Sequence, residues 1–153
     1  MRPVRKQWEL FIPRPLDEVW EFFSRPENLE RMTPDNVSFR ILSPDADQPM
    51  YPGMIIQYTI APILGIPLNW VTEITQIRDK AFFIDDQRVG PYALWHHQHH
   101  FEAQDGGTLM KDILHYQVPF GPLGTLVNAL FVERTVDQIF AYREIVTRQR
   151  WPE

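Results

Sequence analysis

The chain has 153 residues and a formal net charge of −5, and 44% of its residues are hydrophobic and 13% aromatic. This apolar content is enough for a packed core and argues against intrinsic disorder. The absence of cysteine excludes disulfides, thiolate metal sites and a cysteine nucleophile. The acidic balance disfavours a nucleic-acid partner, because phosphate binding requires a basic face.

No apolar run approaches the ~18 residues of a membrane span. The N-terminal stretch reaches its prolines before any apolar run of signal-peptide length. We therefore expect a cytoplasmic protein with no membrane insertion, folded as one domain over residues 1–153.

The first predicted element is a strand at Val4–Ile12, because apolar and polar residues mix along it and Pro13 follows. Pro15 and two acidic residues then favour the first turn of a helix. The apolar residues of this helix recur at intervals of three or four: Leu16, Val19, Trp20 and Phe23. A second short helix is predicted at residues 26–32, ending before Pro34, and a short strand at residues 37–42.

The middle of the chain is predicted to be a series of strands at residues 54–60, 68–77, 81–88, 92–101 and 108–118, each bounded by glycine, proline or charged residues. Short loops between consecutive strands imply antiparallel pairing. One long helix follows at residues 123–148. Its apolar residues shift faces along its length, so we expect it to touch different surfaces at its two ends or to bend. The predicted fold is α+β, a curved antiparallel sheet wrapped around this C-terminal helix.

Four of the five histidines lie together in the stretch HHQHH, residues 96–100. Because side chains alternate faces along a strand, His97 and His99 share one face with Trp95 and Phe101, which indicates that this face points inward. His96 and His100 then lie on the outer face, roughly 13 Å apart at ~3.3 Å per residue. This strand alone therefore cannot bring four histidines to one metal ion.

The Asp105-Gly106 pair that follows is typical of a two-residue hairpin turn of type I′. Such a turn sets Gln104 opposite Gly107 and fixes the register of the two strands. The predicted inward pairs are Phe101–Met110, His99–Asp112, His97–Leu114 and Trp95–Tyr116, and the predicted outward pair is His96–His115. An imidazole and a carboxylate, those of His99 and Asp112, are thus expected side by side on the concave face.

The two preceding strands add further residues to this face. Phe83, Asp85 and Gln87 share one side of their strand, and Trp70, Thr72 and Ile74 share one side of theirs. Several polar groups converging among aromatic side chains are typical of ligand pockets. The predicted ligand-binding residues are His97, His99, Asp85, Gln87, Asp112, Tyr116, Trp70, Trp95, Tyr58 and Leu130.

The residues leave several roles open for the inner histidines. They could form a structural hydrogen-bond network, orient a ligand, or act in acid–base catalysis through a His99–Asp112 pair. A His-x-His pair on one strand face could also bind a metal, with Asp112 or Asp85 as third ligand. Nothing in the sequence demands a metal, so we predict no metal site and no cofactor.

Three motifs, at residues 11–34, 83–101 and 106–124, resemble one bacterial branch of the SRPBCC superfamily, which contains START, Bet v allergen-like and polyketide cyclase–dehydrase proteins. The turn Gly90-Pro91-Tyr92 and the run PFGPLG, residues 119–124, carry much of this resemblance. It covers nearly the whole chain and implies a helix-grip fold, in which seven antiparallel strands surround the C-terminal helix and an apolar cavity. It implies no catalytic residue, because the superfamily shares none.

The leading functional prediction is a protein whose partner is a small hydrophobic ligand, aromatic or lipid-like. One alternative is a cyclase or dehydratase in which His99 is the base, Asp112 orients it and Tyr116 donates a hydrogen bond. Another is a protein-interaction module, for which Met50-Tyr51 and the loop at residues 61–67 are the candidate apolar surfaces. The sequence leaves the ligand's identity and the oligomeric state open.

Overall fold

The computed structural model describes residues 2–35, 38–61 and 66–152. Its sheet has seven strands: β1 (Val4–Ile12), β2 (Arg40–Ile41), β3 (Ile55–Ile60), β4 (Leu68–Arg78), β5 (Phe82–Val89), β6 (Leu94–Gln104) and β7 (Gly107–Gln117). The strand order is β1-β7-β6-β5-β4-β3-β2, and every neighbouring pair is antiparallel. Two short helices, α1 (Leu16–Phe23) and α2 (Asn28–Arg31), follow the first strand. This is the expected helix-grip fold.

The C-terminal helix runs through three segments: α3 (Gly121–Val127), a π-helical turn (Asn128–Val132) and α4 (Glu133–Arg150). From Gly124 to Phe140 its buried residues fall at intervals of four, at Gly124, Asn128, Val132, Val136 and Phe140, and Thr147 follows seven residues later. A π turn holds one more residue than an α turn, so it keeps every fourth residue facing the sheet where a straight α-helix would drift away. The π turn thus lets the helix segments on both sides of it keep a buried face toward the sheet.

The helix begins with a tight turn that requires glycine. Gly121 has a φ of +53°, and a Cβ on Gly124 would lie 1.9 Å from the carbonyl oxygen of Pro119. Phe120 also adopts a positive φ, of 74°. The PFGPLG run therefore sets where the helix starts and how it meets the end of β7.

The predicted register of β6 and β7 is confirmed at each pair, from Gln104 opposite Gly107 to Trp95 opposite Tyr116. The turn type was predicted wrongly. Of the two central residues of this turn, Asp105 and Gly106, only Gly106 has a positive φ, of +80°. A type I′ turn needs a positive φ at both. A positive φ at the second central residue alone is the pattern of a type II turn, which spares Asp105 a left-handed conformation.

The core has two main parts, on either side of the inner face of β6. Residues of α1 pack on β5 and β6, where the Trp20 ring meets the rings of Phe83 and Phe101 edge to face. The C-terminal helix packs on β1 and β7, where Phe140 stacks on Trp8 with ring centroids 3.7 Å apart. Between these two clusters, the helix and the sheet enclose the space described below. None of the helices in the described ranges has the length and apolar character needed to cross a bilayer.

Candidate functional site

A cavity lies between the concave side of the sheet and the C-terminal helix. The space open to the centre of a water molecule is about 80 Å³, which is room for several waters. Its walls are mainly apolar and aromatic, including Ile56, Trp70 and Phe83 from the sheet and Val136 and Phe140 from the helix. Large buried apolar walls with a few converging polar groups are the usual form of a small-molecule site.

A second, smaller cavity of about 40 Å³ lies beside the first. The wall between them consists of residues that line both: Leu29, Phe83, His99, Phe140 and Arg143. A ligand longer than the first cavity would therefore have to displace side chains of this wall, of which Arg143 is the longest and has the most rotatable bonds.

Two histidines and two aspartates form a closed network on the inner face of the sheet. His97 Nε2 donates to Asp112 Oδ1 at 2.9 Å, and His99 Nε2 donates to Asp85 Oδ2 at 2.8 Å. His99 Nδ1 also lies 3.0 Å from Asp112 Oδ1, without the alignment of a hydrogen bond, and His97 Nδ1 lies 3.6 Å from Asp85 Oδ2. His97 and His99 are only 2% and 4% exposed, so water does not screen these contacts.

Burial and the neighbouring charges shift the pKa values of these four side chains in different directions. Burial would raise the pKa of the Asp112 and Asp85 carboxyls, but the contacts with His97 and His99 outweigh it and lower both pKa values. Burial would lower the pKa of His99, but its two carboxylate neighbours raise it. Burial and the charge of His99 lower the pKa of His97. These directions favour the protonated form on His99 and the neutral form on His97.

This protonation pattern changes the acid–base roles predicted from the sequence. His99 and Asp112 do face each other across the strands. The aligned hydrogen bond to Asp112, however, comes from His97, which lies two residues before His99 on the same face of the strand. A raised pKa makes His99 a weaker proton donor but a group more often protonated, and a lowered pKa leaves His97 more often neutral. The imidazole with the aligned hydrogen bond to Asp112 is that of His97, whose pKa is lowered.

Six of the predicted ligand-binding residues line the larger cavity: Tyr58, Trp70, Asp85, Trp95, His97 and His99. Asp112 lines the smaller cavity instead, on the other side of the histidine pair. The sheet thus brings Asp85, His97 and His99 together at the larger cavity, with Asp112 on the far side of the two histidines.

Three other predicted residues line neither cavity. Gln87 spans the following turn, where its amide donates to the carbonyl of Tyr92 at 2.7 Å and accepts from the Tyr92 N–H at 3.2 Å. Tyr116 is fully buried beneath the C-terminal helix. Leu130 is 58% exposed, because the π turn directs Asn128 and Val132 toward the sheet and leaves Leu130 on the outside.

The sequence reasoning interpreted Arg143 as solvated or paired and considered Arg134 the helix arginine that could approach the cavity. In the structure Arg134 is exposed, whereas Arg143 reaches both cavities from the C-terminal helix. Its guanidinium lies 5.0 Å from the centre of the Phe140 ring, and its buried Nε has no hydrogen-bond partner among the described residues. Trp70 was predicted as a ligand-binding residue, but its unpaired donor was not predicted. Its buried indole N–H has no hydrogen-bond partner among the described residues. Regular helical spacing from Phe140 would have pointed to Arg143.

The surfaces considered for a protein-interaction role are arranged differently from the prediction. Met50 is buried and lines the larger cavity, whereas Tyr51 is exposed. Residues 62–65 of the predicted loop lie outside the described ranges. Ile66 of that loop is 57% exposed. Exposed apolar side chains also occur around the start of the C-terminal helix, at Phe120, Leu123, Leu126, Leu130 and Phe131.

Comparisons with solved structures support the same fold. Protein TTHA0849 from Thermus thermophilus aligns with a TM-score of 0.72 and 17% identity, over 96% of each chain. Protein Ms6760 from Mycobacterium smegmatis aligns with a TM-score of 0.67 and 15% identity, over 95% of this chain and 92% of that one. Ara h 8.0201 aligns with a TM-score of 0.60 and 17% identity, over 96% and 99%.

No curated protein matches the sequence significantly. The model of one family, described as polyketide cyclase / dehydrase and lipid transport, matches residues 12–141, which is most of the chain. The seven-stranded sheet, the long C-terminal helix and the enclosed space between them agree with that match. The chain therefore belongs to the polyketide cyclase/dehydrase and lipid transport family, within the SRPBCC superfamily.

Proposed function

We propose that the protein binds a small, mostly apolar molecule with an aromatic part and one acidic or hydrogen-bond-accepting group. The observation that carries this proposal is the larger cavity, whose apolar walls hold a buried indole N–H, that of Trp70, without a partner among the described residues. An unpaired buried donor is costly in free energy. An acceptor on a bound ligand would remove that cost.

Arg143 supports an acidic group in particular. Its guanidinium reaches both cavities and, among the described residues, is in contact with the Phe140 ring. Arginine binds carboxylates, phosphates and sulfonates well, because its planar group offers several N–H donors in a fixed arrangement. An anionic group that drew Arg143 aside would also remove one of the five side chains that separate the two cavities.

The aromatic walls support a flat apolar body for the ligand. Tyr58, Trp70, Tyr92 and Trp95 form a continuous group of rings with centroid separations of 4.8–5.8 Å. Three of them line the larger cavity. Rings in this arrangement offer both faces and edges to an aromatic guest.

Two fluorescent probes with nearly the same apolar body test this proposal. 8-Anilinonaphthalene-1-sulfonate carries an anionic group, and N-phenyl-1-naphthylamine is its uncharged analogue. We expect both probes to bind the wild-type protein with 1:1 saturation, and the sulfonate to bind about tenfold more tightly, since a hydrogen bond to a charged group is worth about 1.5–3 kcal/mol.

The matched variants are Arg143→Met and, on the exposed side of the same helix, Arg134→Met. We expect Arg143→Met to remove the preference for the sulfonate without abolishing binding of the uncharged probe, and Arg134→Met to retain the preference. If neither probe saturates on the folded wild-type protein, or if both variants behave alike, the proposal is wrong.

A further inference from the structure

Three side chains that line the larger cavity direct potential metal ligands toward a common point. Asp85, His97 and His99 each offer one nitrogen or oxygen atom, and these atoms all lie within 4.8 Å of one another. The three side chains come from adjacent strands of a regular sheet, β5 and β6, where Asp85 is opposite His97. Their spacing is therefore set by strand pairing rather than by a loop.

The separations between these atoms fit coordination of one ion. Asp85 Oδ2 lies 2.8 Å from His99 Nε2 and 3.6 Å from His97 Nδ1. Ligands at Zn–N and Zn–O distances of about 2.0–2.2 Å are separated from each other by about 3.4 Å in a tetrahedral site. The ligand atoms of His97 and His99 lie within 4.8 Å of each other, so metal binding would require the two rings to turn toward the shared ion.

A second observation concerns the nitrogens on the far side of the two rings. His97 Nε2 and His99 Nδ1 lie 2.9 and 3.0 Å from the same oxygen of Asp112. Histidines that bind metal commonly donate their other ring N–H to a carboxylate, which fixes the ring orientation. Asp112 lines only the smaller cavity, so it lies behind both rings, on the side away from Asp85.

The charges and the surroundings favour the same conclusion. Asp85 and Asp112 place two carboxylates where their side chains are only 16% and 12% exposed, and a divalent cation would balance both. The sequence alone allowed Asp112 or Asp85 as a third ligand, but no metal was predicted because nothing in the sequence demanded one. The pairing of β5 with β6 supplies the third ligand.

We propose that Asp85, His97 and His99 bind one divalent transition-metal ion of the zinc type, with Asp112 as a positioning residue and the remaining coordination position open to the larger cavity. Mixed imidazole and carboxylate ligands suit Zn²⁺, Co²⁺ and Fe²⁺ better than Mg²⁺ or Ca²⁺. An open position would let a donor atom of a bound molecule reach the ion. The metal site does not depend on the ligand-binding proposal, and its test uses the metal alone.

The experiment is a titration of the tag-free, chelator-treated protein with ZnCl₂, followed by calorimetry and by metal analysis after dialysis. We expect one zinc per chain, with a micromolar or lower Kd and a higher Tm in the presence of zinc. CoCl₂ in place of ZnCl₂ should give a visible absorption band of a four- or five-coordinate ion. MgCl₂ should give neither heat nor a change in Tm.

The variants separate the proposed site from incidental binding. Asp85→Asn and His97→Gln should abolish stoichiometric binding, and Asp112→Asn should weaken it by about 10- to 100-fold. The matched control is the pair on the outer face of the same strands, His96→Gln with Asp86→Asn, which should leave zinc affinity unchanged. Circular dichroism establishes which variants fold.

Two results would overturn the proposal. The first is a wild-type protein that takes up no zinc at a 1:1 ratio, whatever the variants do. The second is zinc uptake that is lost in the outer-face control but survives in a folded Asp85→Asn or His97→Gln variant.

Discussion

Histidines alternate along β6 between a face covered by the C-terminal helix and a face open to solvent. On the inner face, His97 and His99 are almost fully buried and share two carboxylates. On the outer face, the side chain of His96 is 31% exposed and pairs with a single carboxylate, Asp86, at 2.7 Å. The same residue type, on the same strand, thus lies in two very different environments.

The difference shows what turns a histidine–aspartate pair into a candidate site. The outer pair continues into a chain of weak polar contacts, in which Gln98 donates to His96 at 3.1 Å and accepts from His100 at 3.0 Å. Solvent can replace each of these contacts. The inner contacts have no such substitute, and Phe140 of the C-terminal helix covers them, with its ring 5.3 Å from that of His97. Burial, rather than residue type, is what separates the two faces.

The largest expected difference between the faces is in stability. We expect Asp112→Asn to lower the free energy of unfolding by about 3–5 kcal/mol, because it removes the carboxylate charge that both buried imidazoles contact. The matched outer-face change, Asp86→Asn, should cost less than about 1 kcal/mol, since that pair is partly screened by water. Urea unfolding of both variants measures this. Equal losses would show that burial does not distinguish the two faces.

A smaller effect is expected in the solvent access of the imidazole rings. Deuterium exchange at the histidine C2 position, followed by mass spectrometry, should be on the order of tenfold slower at His97 and His99 than at His96 and His115, because the inner rings exchange only when the structure opens. Phe140→Ala should reduce this difference by uncovering His97. Similar rates at all four rings in the wild-type protein would contradict the described burial.

The smallest effect should come from the bridge on the outer face. Gln98→Thr removes both contacts to His96 and His100 but retains a residue suited to a strand, so the free energy of unfolding should change by less than about 0.5 kcal/mol. Thermal and urea unfolding measure this change. A loss of several kcal/mol would mean that the outer chain of contacts is itself structural.

The sequence predicted those features that depend on strand alternation. The register of β6 and β7 followed from the Asp105-Gly106 pair and from the requirement that Trp95 and Phe101 face inward, and it is confirmed. That register alone placed His97, His99 and Asp112 together. Alternation also predicted that Asp85 would face the same side as Phe83, where it lines the larger cavity.

Other features depend on geometry that a regular period does not contain. The π turn at Asn128–Val132 changes which helix residues meet the sheet, so Leu130 was wrongly assigned to the cavity. Gln87 lies in register with Thr72, but its long side chain finds its partners in the turn at Tyr92. The diagonal bond from His97 to Asp112 likewise depends on side-chain rotamers, which pairing rules do not specify.

If the two faces of β6 differ as proposed, the inner face is the floor of a binding site and the outer face is not. A nitrogen-15 NMR titration of the labelled protein with 8-anilinonaphthalene-1-sulfonate distinguishes them, because it follows the histidine ring and tryptophan indole signals together. We expect saturable shifts at His97, His99 and the Trp70 indole, with His96, His100 and His115 unchanged. Shifts confined to the outer histidines, or no saturable shift at the inner ones, would contradict this assignment of the two faces.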